Sequence, residues 1–315
     1  MAKRSFPRSG SLQIWPRKRV SKFIPSVNWS VLQGKGMLGI IAYKVGMKSA
    51  LVKDNTQNSM TKDKKIIIPA TILEIPPVKI YSARLYKNNL CLREIVLNSD
   101  KELKKILKIG KDVKGKIEEL DKKDFDDLRV IIYSQTKKTG IKKTPDIAEI
   151  GLGGSIEEKI NFVKQNWNKE ISASEIIKKM QLVDVRGLTK GHGLEGPVKR
   201  FGIGLKTHKT EKGVRRPGSL GPWHPHLVTF RVAQAGQLGM FTRIIYNNKI
   251  LEIGRISEKN INPKQGWKNY GNIQTEYIIL KGNVQGPSKR QILLTMPLRK
   301  TKYQEKKNLE FLELR

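Results

Sequence analysis

The chain has 315 residues, enough to bury a substantial core in one large or two modest domains, so it is not a small stapled scaffold. Its 62 Lys and Arg against 28 Asp and Glu give a formal net charge of +34, a self-repulsion that favours a polyanionic partner over an isolated compact monomer. The single cysteine, Cys91, excludes an internal disulfide framework, and no apolar run reaches the roughly 18 residues of a membrane-spanning helix.

The charge is uneven. Residues 1–53 hold 11 basic residues and no acid, residues 74–184 hold 23 and 18, and residues 185–249 hold 12 and 2. A nearly balanced middle thus interrupts a strongly basic outer chain. The basic segments are broken by Gly and Pro, which argues against a membrane-surface helix, and the N-terminus lacks the apolar region of a signal peptide. The expected setting is cytoplasmic, with no membrane partner.

In chain order, residues 1–36 carry Pro7, Gly10, Pro16, Pro25, Gly34 and Gly36 among basic residues, with Trp15 and Trp29 interleaved. This pattern predicts an extended arm that is ordered only when a partner supplies contacts. Residues 37–43 and 66–73 are short and rich in β-branched side chains, and predict buried strands. The apolar run Leu90-Cys91-Leu92 predicts a buried Cys91, and residues 92–97 and 129–133 predict further strands. Three capping-box spacings follow in this middle stretch: Ser99-Asp100-Lys101-Glu102, Ser155-Ile156-Glu157-Glu158 and Ser172-Ala173-Ser174-Glu175. They predict helices burying Leu103, Ile106 and Leu107, then Ile160, Val163 and Trp167, then Ile176 and Met180, the first stopped at Gly110. The middle therefore reads as a solvated, self-contained α+β insertion.

After Val185 the helical signals end. Residues 227–232 predict a strand, residues 244–246 and 250–253 a hairpin turning at Asn247-Asn248, and residues 276–280 and 291–296 two more strands. The fold class is mainly β with an α+β insertion. Short strands on both sides of the insertion predict a β-barrel that the chain leaves and re-enters.

Enzyme-like patterns are weak. Gly110-Lys111-Asp112-Val113-Lys114-Gly115-Lys116 matches the front of a phosphate-binding loop, but Ile117 replaces the Ser or Thr that would hold magnesium, so a solvated Lys-rich turn is the better reading. Gly151-Leu152-Gly153-Gly154 reads as a loop before the second capping box. His192, His208, His224 and His226 are the only histidines, and they lack the thiolate or carboxylate partners of a zinc site. No catalytic residue, metal or cofactor is expected. The positive signal is basic: Arg17-Lys18-Arg19, Lys199-Arg200, Arg215-Arg216 and Lys289-Arg290 each sit near Pro or Gly, with Trp15, Phe201, Trp223, Phe230 and Tyr246 interleaved. Irregular backbone, cations and aromatics together suit folded RNA. Trp223, between Gly221-Pro222 and Pro225, is the aromatic with no regular element to bury it.

Taken in order, several segments resemble the family of the universal third protein of the large ribosomal subunit, ribosomal protein L three, in its archaeal and eukaryotic form. They are Gly10-Ser11-Leu12 with Pro16-Arg17-Lys18-Arg19, Ala42-Tyr43-Lys44-Val45-Gly46-Met47, residues 189–202, residues 221–225, Ala235-Gly236-Gln237-Leu238-Gly239 and residues 282–290. Lys48, Glu195, Phe201 and Glu211 depart from the usual Thr, Gln, Trp and His or Arg. Glu211, beside Lys209 and Lys212, is expected to form an internal salt bridge or to meet RNA. The lack of a longer eukaryotic-type tail favours an archaeal-like form.

The resemblance implies a six-stranded Greek-key barrel of the translation-protein type over residues 37–73 and 181–315, an arm over residues 1–36, an insertion over residues 74–180, and an rRNA-penetrating finger at about residues 200–249. It implies a cytoplasmic, non-enzymatic constituent of the large subunit with an early assembly role. Its partners would be neighbouring ribosomal proteins and large-subunit rRNA, near the rRNA 3′-terminal region and the peptidyl-transferase surroundings. The candidate rRNA-binding residues are Arg4, Arg8, Trp15, Arg17, Lys18, Arg19, Lys22 and Lys44 in the first part of the chain. Lys190, His192, Lys199, Arg200, Lys206, Lys209, Arg215, Arg216, Trp223, His224, Arg231, Gln237 and Arg243 follow, then Lys289 and Arg290. Trp223, His224 and Pro225 would form the fingertip near the peptidyl-transferase centre. An rRNA-modifying enzyme would need a cofactor loop or catalytic carboxylate in a defined fold, and neither is visible; a DNA-packaging protein is the second rival.

Overall fold

The computed structural model describes residues 13–108, 115, 117–121 and 125–315. Arg4, Arg8, the Gly10-Ser11-Leu12 motif and the Lys-rich turn beginning at Gly110, apart from Gly115, lie outside the described residues. The strands, in chain order, are β1 (Gly36–Met37), β2 (Gly39–Asp54), β3 (Lys65–Ile75), β4 (Val78–Lys87), β5 (Leu90–Val96), β6 (Asp127–Ser134) and β7 (Ile147–Gly153). After helices α1 (Ile156–Asn166) and α2 (Ala173–Ile176) come β8 (Leu182–Leu188), β9 (Gly191–Glu195), α3 (Pro197–Phe201), β10 (Gly236–Gly239), β11 (Thr242–Arg255), β12 (Glu276–Lys281), β13 (Gln291–Thr295), α4 (Lys302–Lys306) and β14 (Leu309–Leu314). The protein is mainly β, and among the described residues only α1 of the α-helices exceeds five residues.

The chain forms two compact units. The larger comprises Ile24–Gly187 and Ile244–Arg315; the smaller joins the described residues up to Phe23 with Leu188–Arg243. In the larger, one ladder runs β13-β8-β11-β12-β3-β2-β14, and β13 also pairs with β2, so the pairings return on themselves through six strands. Strand β2 makes this possible. Its first part, Gly39–Tyr43, pairs with β13 and its last part, Ala50–Asp54, with β14, while β3 runs along its other edge. A register shift between Lys44 and Gly46 marks a bulge, the device that bends a long strand.

A second antiparallel sheet, ordered β1-β7-β6-β4-β5, comes mostly from the middle of the sequence. It is not self-contained. One apolar cluster includes Ile40, Leu73, Ile278 and Leu294 from the first sheet together with Ile80, Val130, Ile150 and the α1 residues Ile160 and Val163. Polar ties cross as well: the Tyr43 hydroxyl donates to Asp146 at 2.5 Å, and the Ala173 amide donates to Glu276 at 2.8 Å.

Several expectations need correction. Trp29 and Leu32 are buried core residues, not part of a free arm. Gly151–Gly153 belongs to β7 rather than to a loop, and the missing side chain matters: a Cβ on Gly151 would lie 2.7 Å from the Trp29 Cβ. Cys91 is exposed because β5 is the edge of its sheet and pairs only with β4; Leu90 and Leu92 are exposed beside it.

The first capping-box spacing yields only a 3₁₀ turn, Leu103–Lys105. Its acids are drawn into tertiary contacts instead: Asp100 accepts from the Tyr133 hydroxyl, and Glu102 pairs with Lys137 at 2.6 Å. The second forms as expected, with Ser155 and Glu158 exchanging the two capping bonds at the start of α1. The third starts α2, but Ile177 is already extended and Met180 takes a positive φ of 65°, so neither continues the helix. Residues 227–232 form no strand; the backbone bends and turns there, with the Val232 amide donating to the Thr229 carbonyl at 3.2 Å. Asn247-Asn248 is no hairpin turn. Strand β11 runs through it, and the left-handed kink at Asn247 (φ 56°) is held by its amide on Asp184 at 2.8 Å and its side chain on the Arg299 carbonyl at 2.9 Å. Beyond Val185, where the sequence predicts no helix, the chain forms the short helices α3 and α4.

Candidate nucleic-acid interface

The smaller unit is built on a two-stranded ladder. Strand β10 pairs antiparallel with β9, Gly236 opposite Glu195 and Gln237 opposite Leu194. Helix α3 follows β9, started by Pro197 in its first turn and stopped at Gly202, which has the left-handed φ of 67° that favours glycine. Between Gly202 and β10 the chain has no helix or strand, and residues 218–231 are all exposed.

Two arginines close the base of this loop. The Arg200 guanidinium donates to the carbonyls of Gln237 (3.1 Å) and Gln234 (3.0 Å), and a Cβ on Gly236 would lie 2.7 Å from its Cζ, so the glycine allows the approach. Burial lowers the Arg200 pKa, as desolvation of a cation must. Arg17 donates to the Arg200 carbonyl at 3.0 Å and places its guanidinium 4.4 Å from the buried Phe201 ring and 5.6 Å from Trp15. Trp15 in turn meets Phe230 edge to face at 5.3 Å. These candidates are turned inward on their own unit. Gln237 (on the Leu238 and Gly239 carbonyls, 3.2 Å) and Arg243 (on the Thr242 carbonyl, 2.7 Å) also serve the backbone, and Arg231 lies 5.7 Å from the Phe230 ring. Lys199 pairs with Glu195 at 2.5 Å.

The remaining polar candidates face solvent. Lys18, Arg19, Lys22, Lys190, His192, Lys206, Lys209, Arg215 and Arg216 are exposed and make no ion pair among the described residues. Lys212 shares this environment but is absent from the candidate set; its place beside Glu211 hid it. Glu211 itself is exposed and forms no ion pair among the described residues, so the expected internal salt bridge is not made. At the far part of the loop Trp223 is 77% exposed, its ring 4.7 Å from His226, which lies 4.6 Å from His224. Trp223, Pro225, Leu220, Leu227 and Val228 line a cleft of about 270 Å³.

Three candidates lie in the larger unit. Lys44 is buried, its ammonium donating to the Val284 carbonyl, in the part of β2, Gly39–Val45, where every residue is buried. Arg290 is half-buried, and burial lowers its pKa. Lys289 is exposed, its backbone in the left-handed region at φ 68°. Among the described residues, no three His, Cys, Asp or Glu side chains are grouped to hold a metal ion.

The sequence matches the family Ribosomal protein L3 over residues 1–315. It is 38% identical to the large ribosomal subunit protein uL3 of Methanosphaera stadtmanae over 315 residues, 95% of this chain and 94% of that one. The proteins of the same name from Methanocaldococcus jannaschii (38% identity, 93% of this chain, 91% of that one) and Archaeoglobus fulgidus (37%, 94% and 93%) are similar to it over comparable spans.

Proposed function

Because the chain belongs to the ribosomal protein L3 family, we propose that it is a structural constituent of the large ribosomal subunit whose exposed loop, residues 202–235, lies against rRNA. It acts in the cytoplasm as part of the ribosome and not as an enzyme. The six-strand cycle of pairings is read as the barrel of this family, serving as a platform on the subunit surface.

The observation that carries the reading is the division of labour within the smaller unit. Arg17 and Arg200 spend their guanidinium groups on backbone and rings, giving the loop a fixed base. Lys206, Lys209, Arg215 and Arg216 remain exposed without acid partners. Cations in that state lower the repulsion between closely packed phosphates, and each phosphate neutralised releases condensed counterions. Trp223, His224 and Pro225 mark the part of the loop that reaches the peptidyl-transferase surroundings, with the arm toward the rRNA 3′-terminal region. Trp223 offers a flat face to unpaired bases.

Directed cleavage tests this. Iron chelates tethered at Thr207→Cys and at Ser219→Cys, in a Cys91→Ser background, should cut large-subunit rRNA in assembled subunits. The Ser219 cuts should fall around the peptidyl-transferase centre. Cuts confined to the solvent surface of the subunit would refute the loop placement, and cosedimentation with chromatin instead of ribosomes would favour DNA packaging.

A further inference from the structure

The larger unit carries a groove of about 980 Å³ that involves none of the candidate rRNA-binding residues. It lies between the segment after Trp29, the end of α2 and the turn after β13. Its apolar lining is Val31, Ile176, Met296, Pro297 and Leu298, with Val31 53% and Leu298 39% exposed, and Gln33 and Gln181 lie among them. Lys35, Lys178 and Lys300 stand along it. Lys300 lies 3.6 Å from Glu305, whereas Lys35 and Lys178 have no carboxylate partner among the described residues.

We propose that this groove docks an acidic peptide segment bearing aliphatic side chains, contributed by a neighbouring protein of the large subunit. The lining selects the class of partner. Aliphatic surface is rewarded for leaving water only by meeting other apolar surface, and an RNA helix offers riboses and phosphates at its wall. Unpaired bases stack on flat aromatic or guanidinium planes, and neither an aromatic residue nor an arginine lines the groove. Lysines at the margin with no acid of their own then choose, among apolar peptides, one carrying Asp or Glu, by charge complementarity that also disfavours the basic segments abundant in this chain.

The placement in the subunit rests on the ribosomal reading, and sedimentation scores that separately. Gln33 is exposed and lines the groove. Large subunits carrying the chain with Gln33→Cys and Cys91→Ser are labelled with benzophenone maleimide, irradiated and digested. The expected crosslink is to a ribosomal-protein peptide with at least two acidic residues beside Leu, Ile or Val. Combining Lys35→Glu with Lys178→Glu should lower its yield about fivefold, the scale of two exposed charge pairs, with the melting temperature of the chain unchanged. A crosslink to rRNA, a crosslink to a basic peptide, no crosslink above the unlabelled background, or a yield indifferent to the charge reversal would each overturn the proposal. Absence of the chain from the subunit peak would refute the ribosomal placement and the docking with it.

Discussion

At the scale of single residues, the buried acids of this basic protein hold turns together. Asp54 ends β2 and gathers the loop that follows: its carboxylate accepts from the Thr56 amide at 3.0 Å and from the Ser59 and Thr61 hydroxyls at 2.8 and 2.5 Å. Hydrogen bonds from Thr56 and Thr61 hold its carboxyl well below the usual carboxylate range. A lowered folded-state pKa stabilises the fold above the unfolded value, near 3.9, and that stabilisation is lost as pH falls through the folded value. Asp54→Asn should therefore cost about 1 kcal/mol at neutral pH. In thermal melts the gap to wild type should hold from pH 7 to 5 and narrow below about pH 4; a gap that stays constant down to pH 2 would contradict the assignment. Trp223 is the opposite case, an exposed ring with no share in the core. Base stacking is worth about 1–3 kcal/mol, small beside many phosphate contacts. Trp223→Ala should leave subunit yield normal while changing tRNA binding or sensitivity to peptidyl-transferase inhibitors. Ribosomes that match wild type in all of these would end the proposed role.

Elements differ in whether local or distant partners complete them. Helix α1 forms where its capping box predicts because Ser155 and Glu158 find only each other, while the same spacing at Ser99 loses its acids to Tyr133 and Lys137. The loop and its base divide in the same way. Arg215 and Arg216 are exposed without acid partners; Arg200 is committed to backbone carbonyls. Replacing Arg215 and Arg216 with Ala should reduce the salt slope of binding to large-subunit rRNA by about 1.4–1.8, at roughly 0.7–0.9 per phosphate lost. Arg200→Ala should leave that slope nearly unchanged and instead raise hydrogen exchange around residues 234–239, where the Gln234 and Gln237 carbonyls lose their donor. A large slope change for Arg200→Ala would mean that its guanidinium reaches phosphate.

For the whole molecule, the insertion and the strand cycle share one core, with Trp29 against Gly39 and Gly151 from the two sheets. Amides of β6 and β12 should then exchange through openings of equal free energy, as parts of one cooperative unit. Trp29→Ala should cost about 3–5 kcal/mol and lower protection in both strands together. Protection lost in β6 alone would restore the picture of a separable lobe.

Composition and order of motifs were enough to read a mainly β member of a ribosomal protein family, because net charge, β-branched runs and glycine-rich signatures are local properties of the chain. Strands at β3, β5, β6, β12 and β13 were legible for the same reason. What the linear chain could not decide is where each side chain's partner comes from. Cys91 is exposed because its strand is at a sheet edge, and Asn247 kinks a strand instead of turning a hairpin because Asp184 and Arg299 hold it. Trp29 sits in an acid-free segment yet fills a core, and Lys44 and Arg200 carry charges spent on internal carbonyls. For Asn247, Trp29, Lys44 and Arg200 the contact joins residues far apart in sequence. Burial and hydrogen bonding of that kind are set by the packing of strands and loops, so only the tertiary structure separates the cations that support the loop from those left exposed without an acid partner.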